Sequence, residues 1–122
     1  MECPVTDYCN RVIGGEIVAC RLVRLACERH LSDLETGRER GLWFDSVEAN
    51  AAIEFWEMCP HLKGEQASRR ETLRLQPWQM FVIGSIYGWK REDGTRRFRV
   101  AWCEMGRKNG KTTLTYPAII YG

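Results

Sequence analysis

The sequence predicts an α/β fold in which a helical region, residues 11–90, precedes one strand, one loop and one further helix at residues 96–122. Two observations carry this prediction. Apolar residues recur every three or four positions through the first half of the chain, the spacing of one helix face. From Phe98 onward Phe98, Val100 and Trp102 alternate with Arg99, Ala101 and Cys103, which is typical of a strand.

Composition limits the classes of protein that fit. A chain of 122 residues with 44% hydrophobic and 28% charged residues is a single globular domain, which excludes a disordered chain. No apolar run reaches the roughly 18 residues of a membrane-spanning helix, and the N-terminus is polar. Four of the six cysteines lie within regular helix or strand patterns, which favours free thiols over disulfides, and the lack of a C-x-x-C pair argues against zinc. We therefore expect a cytoplasmic protein with no membrane partner.

The charge is unevenly distributed. The net charge is +2, but residues 69–111 hold eleven Lys and Arg against four Asp and Glu. Such an excess suits phosphate or DNA, and it suits a solvated basic face equally well.

Three helices can be placed in the helical region. Residues 1–10 are polar, and we expect them to be poorly ordered. A helix is predicted over Glu16–Thr36 with Gly37 as its C-cap; its opposite face carries Arg21, Arg24, Glu28 and Asp33. The predicted buried face is Ala19, Leu22, Val23, Ala26, Cys27, His30 and Leu34, with His30 as a core residue rather than a ligand.

The next two helices have clear start signals. Asp45 with Glu48 resembles a capping box, and Pro60 ends that helix. Pro77 occupies a favoured first-turn position, and an Asp-Gly turn follows in "KREDGTRR". The side of this third helix predicted to be apolar holds Trp78, Phe81, Val82, Ser85 and Trp89, so Gln79 points elsewhere and would ordinarily be an exposed helix residue.

The loop after the strand has the chemistry of a phosphate-binding loop. In "WCEMGRKNGKTTL" (102–114), Gly110, Lys111 and Thr112 match the end of G-x-x-x-x-G-K-[ST], although Met105 stands where that pattern has glycine. Gly110 permits close approach of the backbone, Lys111 can reach the β- and γ-phosphates, and the Thr112 hydroxyl can bind Mg²⁺. Strand, glycine-containing loop and helix together predict an incomplete P-loop NTPase domain that takes ATP and Mg²⁺.

Several segments share a family resemblance. "LQPWQ" (75–79) followed by "RRFRVAWCEMGRKNGKTTL" resembles the start of the ATPase domain of the large terminase subunits of tailed bacteriophages, the motors that thread DNA into procapsids. Upstream, "EIVACRLVRLACERHLSDLE", "WFD" and "FVIGSIYGWKREDGTRRFR" resemble the same family, so that the resemblance extends from about Asp7 to the last residue.

The resemblance implies a parallel-sheet, ASCE-type P-loop NTPase of which this chain holds only the Walker A strand, loop and helix. Terminases use a deviant Walker A in which an arginine, here Arg107, stands three residues before the Gly of Gly-Lys-Thr. The resemblance implies that Arg107 is a cis-acting arginine finger or a sensor of the γ-phosphate. Gln79 matches the glutamine that reads adenine. The implied catalytic residues are Arg107 and Lys111, and Thr112 is the implied Mg²⁺ ligand. The implied nucleotide-binding set is Gln79, Arg107, Lys108, Asn109, Gly110, Lys111, Thr112 and Thr113.

Two departures from the family pattern affect activity. Pro117 falls in the second turn of the last helix and costs about 3 kcal/mol there. The Walker B carboxylates and the nuclease domain would lie beyond Gly122, so we expect this chain alone to bind nucleotide poorly, to be inactive in hydrolysis and to aggregate. The expected partners of the full-length family are double-stranded DNA, the small terminase subunit, the portal and procapsid, and further copies of itself. The alternative is a non-catalytic module that binds DNA or a partner and keeps a vestigial loop; a small nucleotide kinase is a weaker third possibility.

Overall fold

The computed structural model describes residues 3–59 and 74–98 together with Ala101 and Pro117. This part of the chain is helical with a small two-stranded antiparallel sheet. Its elements are α1 (Pro4–Ile13), α2 (Arg21–Thr36), a 3-10 turn (Gly37–Arg40), β1 (Leu42–Phe44), α3 (Ser46–Met58), α4 (Pro77–Gly88) and β2 (Trp89–Arg91). Most of the predicted strand at 98–102 lies outside the described residues.

The N-terminus forms helix α1, and the prediction of a poorly ordered segment is therefore wrong for Pro4 onward. Pro4 occupies the first turn, where its missing N–H is not needed. Val5, Tyr8, Cys9 and Val12 are buried at helical spacing. Because these side chains join the core, packing of this face stabilises a short helix that would be marginal in isolation.

Helix α2 begins at Arg21 rather than at Glu16. The chain turns at Gly15, whose φ is +84°, and runs extended into the N-cap residue Cys20. Cys27 and His30 are buried and Gly37 is the C-cap, as predicted. The predicted faces are wrong elsewhere: Leu22 is 77% exposed, whereas Asp33 is 5% exposed.

Helices α3 and α4 begin where the sequence predicts. The Asp45 carboxylate accepts a hydrogen bond from the Glu48 backbone N–H at 3.1 Å. Pro77 is the first residue of α4. These two helices pack against each other and α4 also packs on α1, so that Ile53, Trp56, Ile83 and Tyr87 join the core.

The two strands lie inside the region that was predicted to be helical. β1 and β2 pair antiparallel, with Leu42 opposite Arg91 and Phe44 opposite Trp89. The Asp-Gly turn is confirmed: Gly94 has a φ of +86°, and the Arg91 N–H donates to the Thr95 carbonyl at 2.8 Å. Trp89 was predicted on the helix side, but it is the first residue of β2, where it pairs with Phe44 of β1. Its backbone carbonyl also accepts a hydrogen bond from the Arg97 N–H, which closes a hairpin formed by residues 89–97.

His30 is a core residue, as the sequence predicts. The Trp89 indole donates to His30 Nδ1 at 2.9 Å, so the proton of the neutral ring lies on Nε2, 3.0 Å from Thr6 Oγ1. The rings of Phe44 and Trp89 meet the imidazole edge to face. Burial lowers the pKa of His30 to about 4, and the nearby Arg97 charge acts in the same direction.

Candidate nucleotide-binding site

Gln79 lies in the first turn of α4, and its side chain is held in place. Its Oε1 accepts a hydrogen bond from the Gln76 backbone N–H at 2.9 Å, the return bond of a capping box. The expectation that Gln79 is exposed is wrong, since the residue is 6% exposed. Because this bond identifies the oxygen, the amide nitrogen with its two donors takes the other position. A fixed amide of this kind can present both an acceptor and a donor to a planar base.

The rest of the "LQPWQ" segment is anchored on both sides of Gln79. Leu75 is buried, and its backbone N–H donates to the Glu57 carboxylate of α3 at 3.2 Å. The Trp78 indole donates to Gln76 Oε1 at 3.1 Å, and its half-buried ring packs against the core. The segment is thus attached to α3 as well as to α4, so the position of the Gln79 amide is set before any ligand arrives.

A buried ion pair holds the end of the hairpin, where the predicted strand begins. Arg97 Nη1 lies 2.7 Å from Asp33 Oδ2, with side-chain exposures of 15% and 4%. Asp33 also pairs with Arg40, whose side chain is more than half exposed. The guanidinium carbon of Arg97 lies 5.3 Å from the centre of the Trp89 ring and 5.0 Å from that of Phe98.

Sequence reasoning missed this pair because the two residues are 64 positions apart and Asp33 was placed on the solvent face. The available signal was an acidic residue one turn after a buried histidine on the same helix. The pair ties the residue before Phe98 to α2, and so fixes the direction in which the chain leaves the hairpin.

The predicted phosphate-binding residues lie outside the described part of the chain. They are Arg107, Lys108, Asn109, Gly110, Lys111, Thr112 and Thr113. Of the predicted site residues, only Gln79 lies in the described part of the chain. The catalytic roles of Arg107 and Lys111 and the role of Thr112 as a Mg²⁺ ligand stay predictions. Pro117 is helical and buried, in keeping with the helix predicted after the loop.

Three further findings hold for the described residues. Cys3, Cys9, Cys20, Cys27 and Cys59 are all free thiols, as predicted. Residues 3–59 and 74–98 contain no group of three His, Cys, Asp or Glu side chains that could hold a metal ion. Among the helices that the structure describes, none has the length and apolar character needed to cross a membrane.

Comparison with known families identifies one segment. Residues 77–121 match the family model described as the terminase large subunit, ATPase domain. No curated protein and no solved structure matches the chain. Residues 77–121 are therefore similar to an ATPase domain.

Within that class the segment belongs to the terminase large subunits, and the resemblance predicted from the sequence is confirmed over these residues. The match begins at the first residue of α4 and includes Gln79, the hairpin and the whole predicted phosphate loop. The resemblance predicted for residues 7–76 has no counterpart in the match and stays a prediction.

Proposed function

We propose that this chain is the nucleotide-binding front end of a viral DNA-packaging motor, in which ATP hydrolysis by the full-length protein drives double-stranded DNA into a procapsid. The observation that carries the proposal is the match over residues 77–121, since one segment of a terminase ATPase domain contains both Gln79 and the Gly-Lys-Thr loop. The function places the protein in the cytoplasm of a bacterial host, with DNA, the small subunit, the portal and further copies of itself as partners.

The proposed base site is built on Gln79. Adenine presents an amino donor beside a ring-nitrogen acceptor, and a carboxamide pairs with both at once. The Gln76 N–H occupies one lone pair of Oε1, which leaves the second lone pair to receive the adenine amino group. The amide nitrogen then donates to the ring nitrogen. Since the amide is held in one orientation, guanine, with the opposite donor and acceptor pattern, pairs poorly.

The proposed phosphate site is the loop at 107–113. Lys111 holds the β- and γ-phosphates, Gly110 lets backbone N–H groups approach them, and Lys108, Asn109 and Thr113 complete the loop. Arg107 neutralises charge that develops on the transferred phosphoryl group. Thr112 supplies a hydroxyl ligand for Mg²⁺, which screens the phosphate charge when bound. The positive charges of Arg107, Lys108 and Lys111 suit the negatively charged triphosphate.

The test is Mg-ATP binding to the 122-residue chain and to Lys111→Ala, followed by fluorescence of a labelled ATP analogue. Removing the lysine should weaken binding at least about tenfold, as expected for loss of a charge-assisted contact. Lys63→Ala is the matched control, because it removes the same charge outside residues 77–121, and it should bind like the parent.

If Mg-ATP does not bind, or if Lys111→Ala binds it as well as the parent, the chain is not a nucleotide-binding unit. The alternative of a DNA- or partner-binding module with a vestigial loop would then be favoured.

A further inference from the structure

A cavity lies beside α4, and Gln79 is not among the described residues that line it. It has a volume of about 270 Å³ and lies between α2, α4 and the end of the hairpin. Apolar side chains form most of its described wall, among them Phe81, Ile86 and Trp89. The sequence predicts Phe81, Val82, Ser85 and Trp89 on the apolar side of α4, and all four line this cavity together with the half-buried Ile86.

The cavity has a cationic edge. Arg29 and Arg97 both line it, and their guanidinium carbons each lie 5.0 Å from the centre of the Phe98 ring. Arg97 is already held by Asp33. Arg29 is exposed and has no carboxylate within ion-pair distance among the described residues. His30, also in the wall, is a neutral ring whose Nδ1 accepts from Trp89. Arg29 is therefore the group in this wall that is available to an anion.

A hydroxyl group is also available. Ser85 lines the cavity and is half-buried, yet its Oγ is fully buried and has no hydrogen-bond partner in the described part of the chain. A buried hydroxyl without a partner is unfavourable. A rotation about the Cα–Cβ bond that turned the hydroxyl toward the cavity would let a ligand oxygen satisfy it.

We propose that this cavity binds a small planar carboxylate, with its ring between Phe81, Ile86 and Trp89 and its carboxylate on Arg29 and Ser85. Pockets for drug-sized ligands have volumes of roughly 300 Å³ or more. This cavity is slightly smaller, so its volume suits a ligand with a single ring. A guanidinium offers two parallel donors that match the two oxygens of a carboxylate. One available cation favours a monoanion over a phosphate dianion. The site shares no residue with the proposed nucleotide site.

Three isosteric probes test the charge requirement: benzoate, neutral benzamide and cationic benzamidine. The readout is the NMR shift of the Trp89 indole N–H, which lies in the cavity wall and donates to His30. Benzoate should shift this signal and bind about tenfold more tightly than benzamide, as a charge-assisted hydrogen bond predicts. Benzamidine should leave the signal unchanged.

An arginine variant and a matched control test whether Arg29 binds the carboxylate. Arg29→Gln should lower benzoate affinity about tenfold, to the level of benzamide. Arg21→Gln is the matched control, since Arg21 is an exposed arginine of the same helix that does not line the cavity, and it should bind benzoate like the parent. Ile86→Trp fills the cavity and should abolish binding of both benzoate and benzamide while the other amide signals stay in place.

Equal affinities for benzoate and benzamide, or benzoate binding that survives Arg29→Gln, would overturn the carboxylate assignment. A Trp89 indole signal that benzoate does not move, up to its solubility limit, would overturn the site itself.

Discussion

Gly84→Ala should destabilise the protein, although the same exchange stabilises most helix interiors. Gly84 lies in the middle of α4, where that helix crosses α1. A Cβ atom at this position would lie 2.1 Å from Val5 Cγ2 and 3.4 Å from Ile53 Cδ1. Carbon atoms pack at about 3.5–4.0 Å, so Val5 would have to retreat by more than about 1 Å. Val5 is fully buried and β-branched, and has few rotamers with which to do so.

The magnitude follows from two opposing effects. Replacing glycine by alanine in a helix gains about 1 kcal/mol of helix propensity. Forcing a methyl group into a packed core costs about 1–3 kcal/mol, and a closest contact of 2.1 Å places this site at the upper end. The free energy of unfolding should therefore fall by about 1–2 kcal/mol. Urea unfolding followed by far-ultraviolet circular dichroism measures it.

A double-mutant cycle with Val5→Ala isolates the contact. Val5→Ala alone removes two buried methyl groups and should cost about 2 kcal/mol. Because it also removes Cγ2, the double variant should be more stable than the sum of the single changes by at least about 1 kcal/mol. Additive effects, or a stabilising Gly84→Ala, would refute the close packing of α4 on α1.

Three further predictions concern polar groups. The folded-state pKa of His30, about 4, lies below its unfolded value near 6.5, so the folded protein binds fewer protons and loses stability as the pH falls. The loss attributable to His30 should reach about 2 kcal/mol at pH 5 relative to pH 8. If His30→Gln shows the same pH dependence of urea unfolding, the assignment fails. Asp45→Ala should cost about 1 kcal/mol through loss of the α3 N-cap, whereas Ser46→Ala, one residue later, should be nearly neutral in the same assay. Asp33→Asn should cost about 3 kcal/mol because it leaves the Arg97 guanidinium buried without its partner, while Arg40→Gln should cost less than about 1 kcal/mol; similar losses would show that burial does not set the strength of these pairs.

Local signals in the sequence predicted where α3 and α4 begin. Asp45 and Pro77 mark helix starts because each meets a requirement of the first turn that does not depend on the rest of the fold. The Asp-Gly turn is a similar case, since Gly94 adopts a positive φ that few other residues tolerate. The role of His30 in the core was predictable from its position among apolar residues of α2.

Features that depend on distant contacts were not predictable. β1 is three residues long, too short for a period-two pattern, and its partner β2 lies more than 40 positions away. Asp33 is buried because Arg97 reaches it from the hairpin. Helix α1 is a different case: Val5, Tyr8, Cys9 and Val12 show helical spacing, but Pro4 and the polar residues between them obscured it.

Some features of the candidate site could likewise be predicted from the sequence, and others could not. The resemblance to the family could be predicted because "LQPWQ" and the Gly-Lys-Thr loop occur in this order, and the match confirms the resemblance over residues 77–121. The burial of Gln79 could not be predicted, because the side chain that matches an adenine-reading residue also caps its own helix.

We propose that residues 77–121 supply both ends of one nucleotide site, with Gln79 at the base and Lys111 at the phosphates. The most direct test is the ratio of ATP to GTP affinity in the parent, in Gln79→Glu and in Lys111→Ala. Gln79→Glu is informative because glutamate still accepts the Gln76 N–H and keeps the capping box, but it lacks the amide donor. We expect Gln79→Glu to remove the preference for ATP without weakening GTP binding, and Lys111→Ala to weaken the binding of both nucleotides equally. A preference for ATP that survives in Gln79→Glu would contradict it.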